Sequence, residues 1–407
     1  MPPPAPTTRR RLLGTLFASS GLARIGFLLA VTATTLVARD MLGSATFAGL
    51  PVALATVGIA VGTRPMSRLM GRSGRRIGMV VGAVVAATGL LLAAVATNLA
   101  GFGLLLAGLF ILGLGSSSDR LSRYAAADVS APEQTGRAIS IVVWAGTIGA
   151  VLGPSMLAPS EGFADSLGIA GLSGAYLVAA AVAGGSALVT WLFLRPDPLT
   201  FAPETTAPSP ESRTPLGVLV GNGTVRFALA ALAIGQLMMV IIMVMTPIHI
   251  RDAGGSLGAV GLVITAHTIG MFALSPVSGW LADRLGSTKV VLAGLTLLVV
   301  SAIGAAFASG DDQLLLVATL FVLGLGWNFE FVAGSALVVE ASPAAERLRV
   351  QGLADSITWL SAAVASLASG VVLATGGFTA VSLLAAVLVI IPLVAWASQR
   401  VAEPQTA

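Results

Sequence analysis

Twelve runs of about twenty predominantly apolar residues, separated by short polar turns, leave this 407-residue chain little choice of medium. A helix of that length crosses the ~30 Å hydrocarbon core of a bilayer. Composition matters here for one reason: 56% of the residues are apolar and only 10% charged, where soluble domains carry about 25%. Such a chain cannot coat a water-soluble globule, and it is far too apolar to be disordered. It holds no cysteine, which excludes a disulfide scaffold. The runs lie near 14–38, 46–63, 77–97, 101–125, 138–158 and 172–194, then near 224–248, 257–278, 290–309, 313–339, 353–375 and 378–398. Only helices and closed barrels satisfy the backbone in lipid, and these runs are too long and continuous for barrel strands. The expected fold class is an all-α membrane protein of about twelve transmembrane helices.

The formal charge of +4 would suggest nucleic acid in a soluble chain, but the placement of the charges gives another answer. Seventeen of the 22 Lys and Arg residues fall before the first run, after each even-numbered run, or between the fourth and fifth and the tenth and eleventh. That count includes Arg226, at the very start of the seventh run; the alternate loops hold only Arg39 and Arg251, and three arginines lie deeper inside runs. By the positive-inside rule both termini are cytoplasmic, and the expected location is a bacterial plasma (inner) membrane, crossed many times. Nucleic acid is not an expected partner. A secretory signal is the rival reading of residues 9–33. The first run has a counterpart later in the chain, which assigns it to the fold.

That counterpart comes from an internal repeat. A shift of 212 residues places Arg39-Asp40 on Arg251-Asp252, Gly58 on Gly270, Arg72 on Arg284, Gly74 on Gly286 and Gly82 on Gly294. After one deletion the shift is 211, and Leu109–Gly115 falls on Leu320–Gly326 as LFILGLG on LFVLGLG. The chain is a duplicated six-span unit. Residues 1–195 form a first six-helix bundle and 216–407 a second. Between them 196–215 is a Pro-rich cytoplasmic linker, extended because Pro fixes φ and removes a donor. An even number of spans per half leaves the halves in one orientation, related by a pseudo-two-fold axis along the membrane normal.

The segment Gly279-Trp-Leu-Ala-Asp283-Arg284-Leu-Gly286 resembles the signature loop of the major facilitator superfamily, G-x-L-A-D-R-x-G-(R/K), with Ser287 at the final basic position. Its first-half counterpart keeps Leu69, Arg72 and Gly74 but has Gly71 in place of the Asp. Gly149-x-x-x-Gly153-Pro154 in the fifth run is similar to the core of that superfamily's antiporter motif, without the glycine pair that usually follows. The Arg that proton-coupled drug exporters carry in the fourth span is Leu109 here. The resemblance implies a secondary transporter working by alternating access, with the substrate site between the halves and signature-loop charges bracing a gate. The partial antiporter motif tilts the expectation toward export.

Charges at membrane depth are costly and normally functional or paired. Arg24 lies near the middle of the first span, with Gln236 as its repeat equivalent; it either meets a polar substrate or pairs structurally. Asp119 and Glu330 are repeat equivalents in spans four and ten. Each is a candidate proton carrier, but Asp119 stands i,i+4 to Arg123, so an intrahelical ion pair is an equal rival. Glu330 has Gly334 at that spacing, which makes it the better candidate for a titrating carboxylate. His267 is either a proton group or a hydrogen-bonded packing residue. Asp355 is expected near the cytoplasmic end of span eleven, favouring a helix N-terminus and partnering a signature-loop Arg. Trp144, Trp327 and Trp359 read as apolar lining, with substrate stacking as the alternative. No phosphate-binding glycine loop and no His/Cys ligand cluster is present, so neither cofactor, metal nor enzymatic activity is expected. The expected protein is a monomer that takes a small-molecule substrate, uses protons as its coupling ion and exports the substrate. A proton-coupled uptake symporter is the alternative, and a non-transporting sensor or scaffold a third reading.

Overall fold

The computed structural model describes residues 4–42, 50–202 and 221–402. The expected start of the second span (46–49), residues 203–215 of the linker and the expected start of the second bundle (216–220) lie outside the described residues. The helices are α1 (Pro6–Leu42), α2 (Leu50–Ser73), α3 (Arg75–Asn98), α4 (Phe102–Asp128), α5 (Thr135–Ser155), α6 (Leu157–Ser166) and α7 (Ser173–Phe193). In the second half they are α8 (Gly223–Asp252), α9 (Leu257–Phe272), α10 (Ser275–Leu285), α11 (Ser287–Phe307), α12 (Gln313–Ala341), α13 (Arg347–Leu388) and α14 (Ile390–Ala402). Among the described residues, ten helical segments are long and apolar enough to cross a membrane. One of these, Ala344–Ser398, has 55 residues, and Gly377 at φ 69° breaks it into two. Helix α2 has the length of a span, but its second half is polar, with Arg64, Arg68 and Arg72. About twelve crossings result. Outward side chains are apolar, with Phe307 81% and Leu314 80% exposed, the inverse of a soluble surface and suited to lipid.

Several expected boundaries move. The second span, expected to end at 63, continues as helix to Ser73, and the signature segments are not loops. In each half two helices meet at a single residue: α2 and α3 at Gly74 (φ 94°), α10 and α11 at Gly286 (φ 92°). Only glycine enters that region without strain. The eighth span is interrupted at Ala273-Leu274, just before Pro276, whose ring cannot accept the preceding turn. The described start of the linker is not extended throughout, because Pro198–Phe201 forms one 3-10 turn.

The duplication is visible in the packing. Added Cβ atoms on Gly113 and Gly115 of α4 would strike the backbone of α2 at Ala55 and of α3 at Ala86; on Gly324 and Gly326 of α12 they would strike α9 at His267 and α11 at Leu298. Small residues let bilayer helices approach to backbone contact. The two LGLG segments are thus the seams on which each six-helix set is assembled.

The chain divides into two compact units that nearly follow the sequence halves. The first comprises the described residues to Ser130, those from Trp144 to 202, and Gln351–Ser356; the second comprises Ala131–Val143, 221–350 and 357–402.

Candidate functional site

In the first unit the polar interior is concentrated on α1 and α4. Arg24, midway along α1, donates from Nε to Asp119 Oδ2 at 3.2 Å, with both residues 8% exposed. One turn away, Ser20 and Ser122 share a hydrogen bond of 2.9 Å between the same two helices. Helix α5 fixes α1 in place: a Cβ on Gly149 would come within 2.7 Å of Arg24 Cβ, and one on Gly153 within 2.8 Å of Leu28 Cβ. Pro154 follows in the last turn of α5. The motif that resembles the antiporter signature is therefore the bed on which Arg24 is seated.

Asp119 does not pair with Arg123 along its own helix. The Arg123 side chain turns instead to Asp355, with Nη2 to Oδ1 at 2.7 Å and Nη1 to Oδ2 at 3.3 Å. Such a two-pronged geometry is the strong form of an ion pair. Asp355 is fully buried nine residues into α13, so it neither sits at a helix N-terminus nor partners a signature-segment arginine. Sequence spacing missed this because i,i+4 identifies residues able to meet on one helix, not a stronger partner on another. Arg120 lies with its guanidinium 5.1 Å from the centre of the Phe27 ring.

The second unit holds the repeat equivalents in a different chemistry. Gln236 Oε1 accepts from Trp327 Nε1 at 2.8 Å. The Trp327 ring stacks on Phe331 at 4.6 Å and meets Phe272 edge-on at 5.9 Å. Glu330 is fully buried and lies against Gly235, where an added Cβ would collide with its carboxylate. Gly334 is 3.1 Å from Glu330 Oε1 by the same measure. His267 is fully buried, and its Nδ1 lies 3.0 Å from Leu320 O on α12. Thr265 and Thr268 both donate to carbonyls of their own helix. In the first unit, Trp144 meets Phe17 at 5.4 Å.

The signature segments are anchored in two ways. Asp283 accepts from the backbone N–H groups of Gly136 (2.7 Å) and Arg137 (3.2 Å) at the start of α5, where a carboxylate answers the helix dipole. Arg284 lies over the Trp280 ring at 5.2 Å, and Arg72 is exposed. In the first unit, which has Gly71 at the Asp position, a different cluster takes over. Arg75 donates to Asp128 Oδ2 at 2.8 Å and to Gln351 Oε1 at 2.9 Å. Asp197 accepts from the N–H groups of Arg75 and Arg76, at 3.0 and 2.9 Å.

Sequence reasoning missed Asp128, Gln351 and Asp197, whose partners are remote in sequence. It also missed Asn328, whose Nδ2 reaches Met271 O (2.5 Å) and Ser275 Oγ (2.6 Å) across the break between α9 and α10. An amide in an apolar run, two residues before Glu330, was the available signal.

A family model described as Major Facilitator Superfamily matches residues 15–254 and 227–407. The chain is 37% identical over 399 residues to the uncharacterized MFS-type transporter YdeG of Bacillus subtilis, covering 95% of this chain and 90% of that one. It is 31% identical over 348 residues to the riboflavin transporter RfnT of Brucella anthropi, covering 85% of each. Among solved structures, the human organic anion transporter MFSD10 superposes with a TM-score of 0.79 at 16% identity, over 97% of this chain and 100% of that one. FucP in its outward conformation gives 0.75 at 16%, over 95% and 98%; at these identities the likeness concerns the fold.

Proposed function

The chain belongs to the Major Facilitator Superfamily and is a multi-pass membrane transporter; from that premise we propose that it carries a small organic solute together with protons. The observation that carries the proposal is the buried Arg24–Asp119 pair. Separating two buried opposite charges is costly, because whichever charge remains has no water to solvate it. Protonating Asp119 removes the counter-ion of Arg24, which then needs an anionic or polar group from the substrate. Losing that proton restores the pair and displaces the substrate group. The ionised carboxylate and the solute thus compete for one arginine, so the solute binds together with the proton, which is the logic of symport. Seating Arg24 on Gly149 keeps its reach fixed while this exchange runs.

The distribution of arginines supports cytoplasmic termini, and the bacterial relatives support the inner membrane as location. The likeness to RfnT, a riboflavin transporter, makes a planar heteroaromatic solute the first class to try. The Phe272–Trp327–Phe331 cluster offers ring surfaces suited to it. Glu330, fully buried in the second unit, is a second candidate carrier.

The test is transport in proteoliposomes under an imposed pH gradient. Expected is solute accumulation on the side to which protons flow, with Asp119→Asn retaining counterflow but losing the response to ΔpH. Solute movement against the proton gradient would establish export by antiport instead. No counterflow for any stabilising ligand would leave a sensor or scaffold.

A further inference from the structure

The last turn of α7, in the first unit, carries a group of cations that the exchange at Arg24 does not use. Trp191 stands in that turn and is 42% exposed. Its ring centre lies 4.5 Å from the guanidinium of Arg76, at the start of α3, and 5.7 Å from that of Arg195, just past the end of α7. Both distances are within the reach of a cation–ring attraction. Arg11 of α1 joins the group, donating from Nη2 to the Arg195 carbonyl at 2.6 Å.

These guanidinium groups keep most of their donors. Arg195 spends one N–H on the Trp191 carbonyl, at 3.4 Å, and Arg11 one on that of Arg195. Among the described residues none of the three forms an ion pair. Asp128 is held by Arg75, and Asp197 accepts from the N–H groups of Arg75, Arg76 and Leu199. Three cations therefore face one carboxylate. Those bonds to Asp197 also occupy the N-terminus of α3, so an added anion has to be held by the guanidinium forks, whose geometry matches a phosphate. Beyond the cations the surface of α7 is apolar. Ala181, Gly184, Leu188 and Trp191 are exposed, and their helical spacing puts them on one face. From first to last that track runs about 15 Å, half of the ~30 Å hydrocarbon core and so the depth of one leaflet.

We infer that this surface binds an anionic phospholipid, its phosphate held by Arg76 and Arg195 beside Trp191, with Arg11 adding charge and one acyl chain lying along α7. Tryptophan belongs at the level of the lipid headgroups, and arginine reaches from an apolar stem to the phosphates. The apolar track selects a lipid over a soluble phosphate, which would leave that track unused. Net positive charge selects an anionic lipid over a zwitterionic one. A bound headgroup ties α1, α3, α7 and the first residues of the linker together, beside the Gly74 junction. The site is independent of Asp119 and of the direction of solute movement.

The experiment uses the full-length protein in phosphatidylcholine nanodiscs. The fluorescence of Trp191 is obtained in each background as the difference made by Trp191→Phe. Increasing fractions of phosphatidylglycerol, brominated near the headgroup end of its chains, quench that signal and give an association constant relative to equally brominated phosphatidylcholine. Expected is a constant at least fivefold higher for phosphatidylglycerol, falling to the reference value when Arg76→Gln and Arg195→Gln are combined. Millimolar inorganic phosphate should leave the preference intact. Equal constants for the two lipids overturn the site, as does a preference that survives the double variant. A preference abolished by phosphate makes the occupant a soluble anion and overturns the lipid. Should the double variant fail to fold, Arg195→Gln alone decides, and a wild-type constant there overturns the proposal.

Discussion

The two repeats share a frame and differ in what the frame holds. In both, a glycine pair on the fourth helix lets its neighbours approach to backbone contact, and a single glycine with φ near 93° joins the signature helices. Inside that common frame the first repeat places Arg24 on Asp119, whereas the second places Gln236 on Trp327 and buries Glu330 against Gly235. Glycines that set helix contacts stay in register because any side chain there would push two helices apart. Polar groups inside the bundle carry no such constraint and have diverged. The lesson is that the frame and the chemistry are separable, and four sets of variants probe that separation.

The largest expected effect is the loss of one member of the charged pair. Arg24→Ala should destabilise the protein by about 3–5 kcal/mol, because it strands a buried carboxylate. Gln236→Ala breaks a neutral hydrogen bond and should cost only about 1 kcal/mol. Unfolding in mixed micelles measures both, and equal losses would mean that the repeats do not differ in the way described.

Next come the junction glycines. Alanine at Gly74 or Gly286 meets backbone strain of about 1–3 kcal/mol. At Gly74 its Cβ also collides with the Asp197 carboxylate, while at Gly286 it meets open space. Gly74→Ala should therefore be the more harmful, and adding Asp197→Ala should recover the excess but not the strain. Comparing the four thermal midpoints checks this; no recovery would remove Asp197 from the account.

A smaller effect is expected at Gly235 and its repeat equivalent Ala23. Gly235→Ala forces the Glu330 carboxyl aside and should cost about 1–3 kcal/mol. Ala23→Gly has no such collision to relieve and should cost about 0.5–1 kcal/mol through backbone freedom alone. Combining Gly235→Ala with Glu330→Asp should restore part of the loss in the same unfolding assay.

The smallest is Asp283→Asn, which keeps an acceptor at the start of α5 but removes its charge. About 0.3–1 kcal/mol should be lost, falling toward zero as salt screens the interaction. A loss independent of ionic strength would point to geometry instead of charge.

Much of the frame was legible in the sequence because bilayer spans need long apolar runs and the repeat keeps its glycines in register. The signature segment was recognisable too, though its helical form was not, since polar residues in a row read as a loop when lipid is the reference. The pairing inside the bundle was far less legible. Arg24 and Asp119 could each be marked as buried and costly, but 95 residues separate them, and Arg123 stood closer in sequence. Asp355 looked like a helix-start residue because the α13 boundary was placed at 353, six residues after the observed start at Arg347. Periodicity tells which face a residue shares, and distance across helices has to come from the fold.

The exchange of short segments between units bears on whether the halves can live apart. Gln351–Ser356 is counted with the first unit, where it brings Gln351 to Arg75 and Asp355 to Arg123. A chain severed in the linker would leave its amino-terminal piece with a buried Arg123 stripped of its carboxylate, and its carboxyl-terminal piece with an Asp283 that has no α5 to cap. Neither fragment is self-sufficient. The two halves of the sequence are therefore expected to be inherited, expressed and swapped only as a pair.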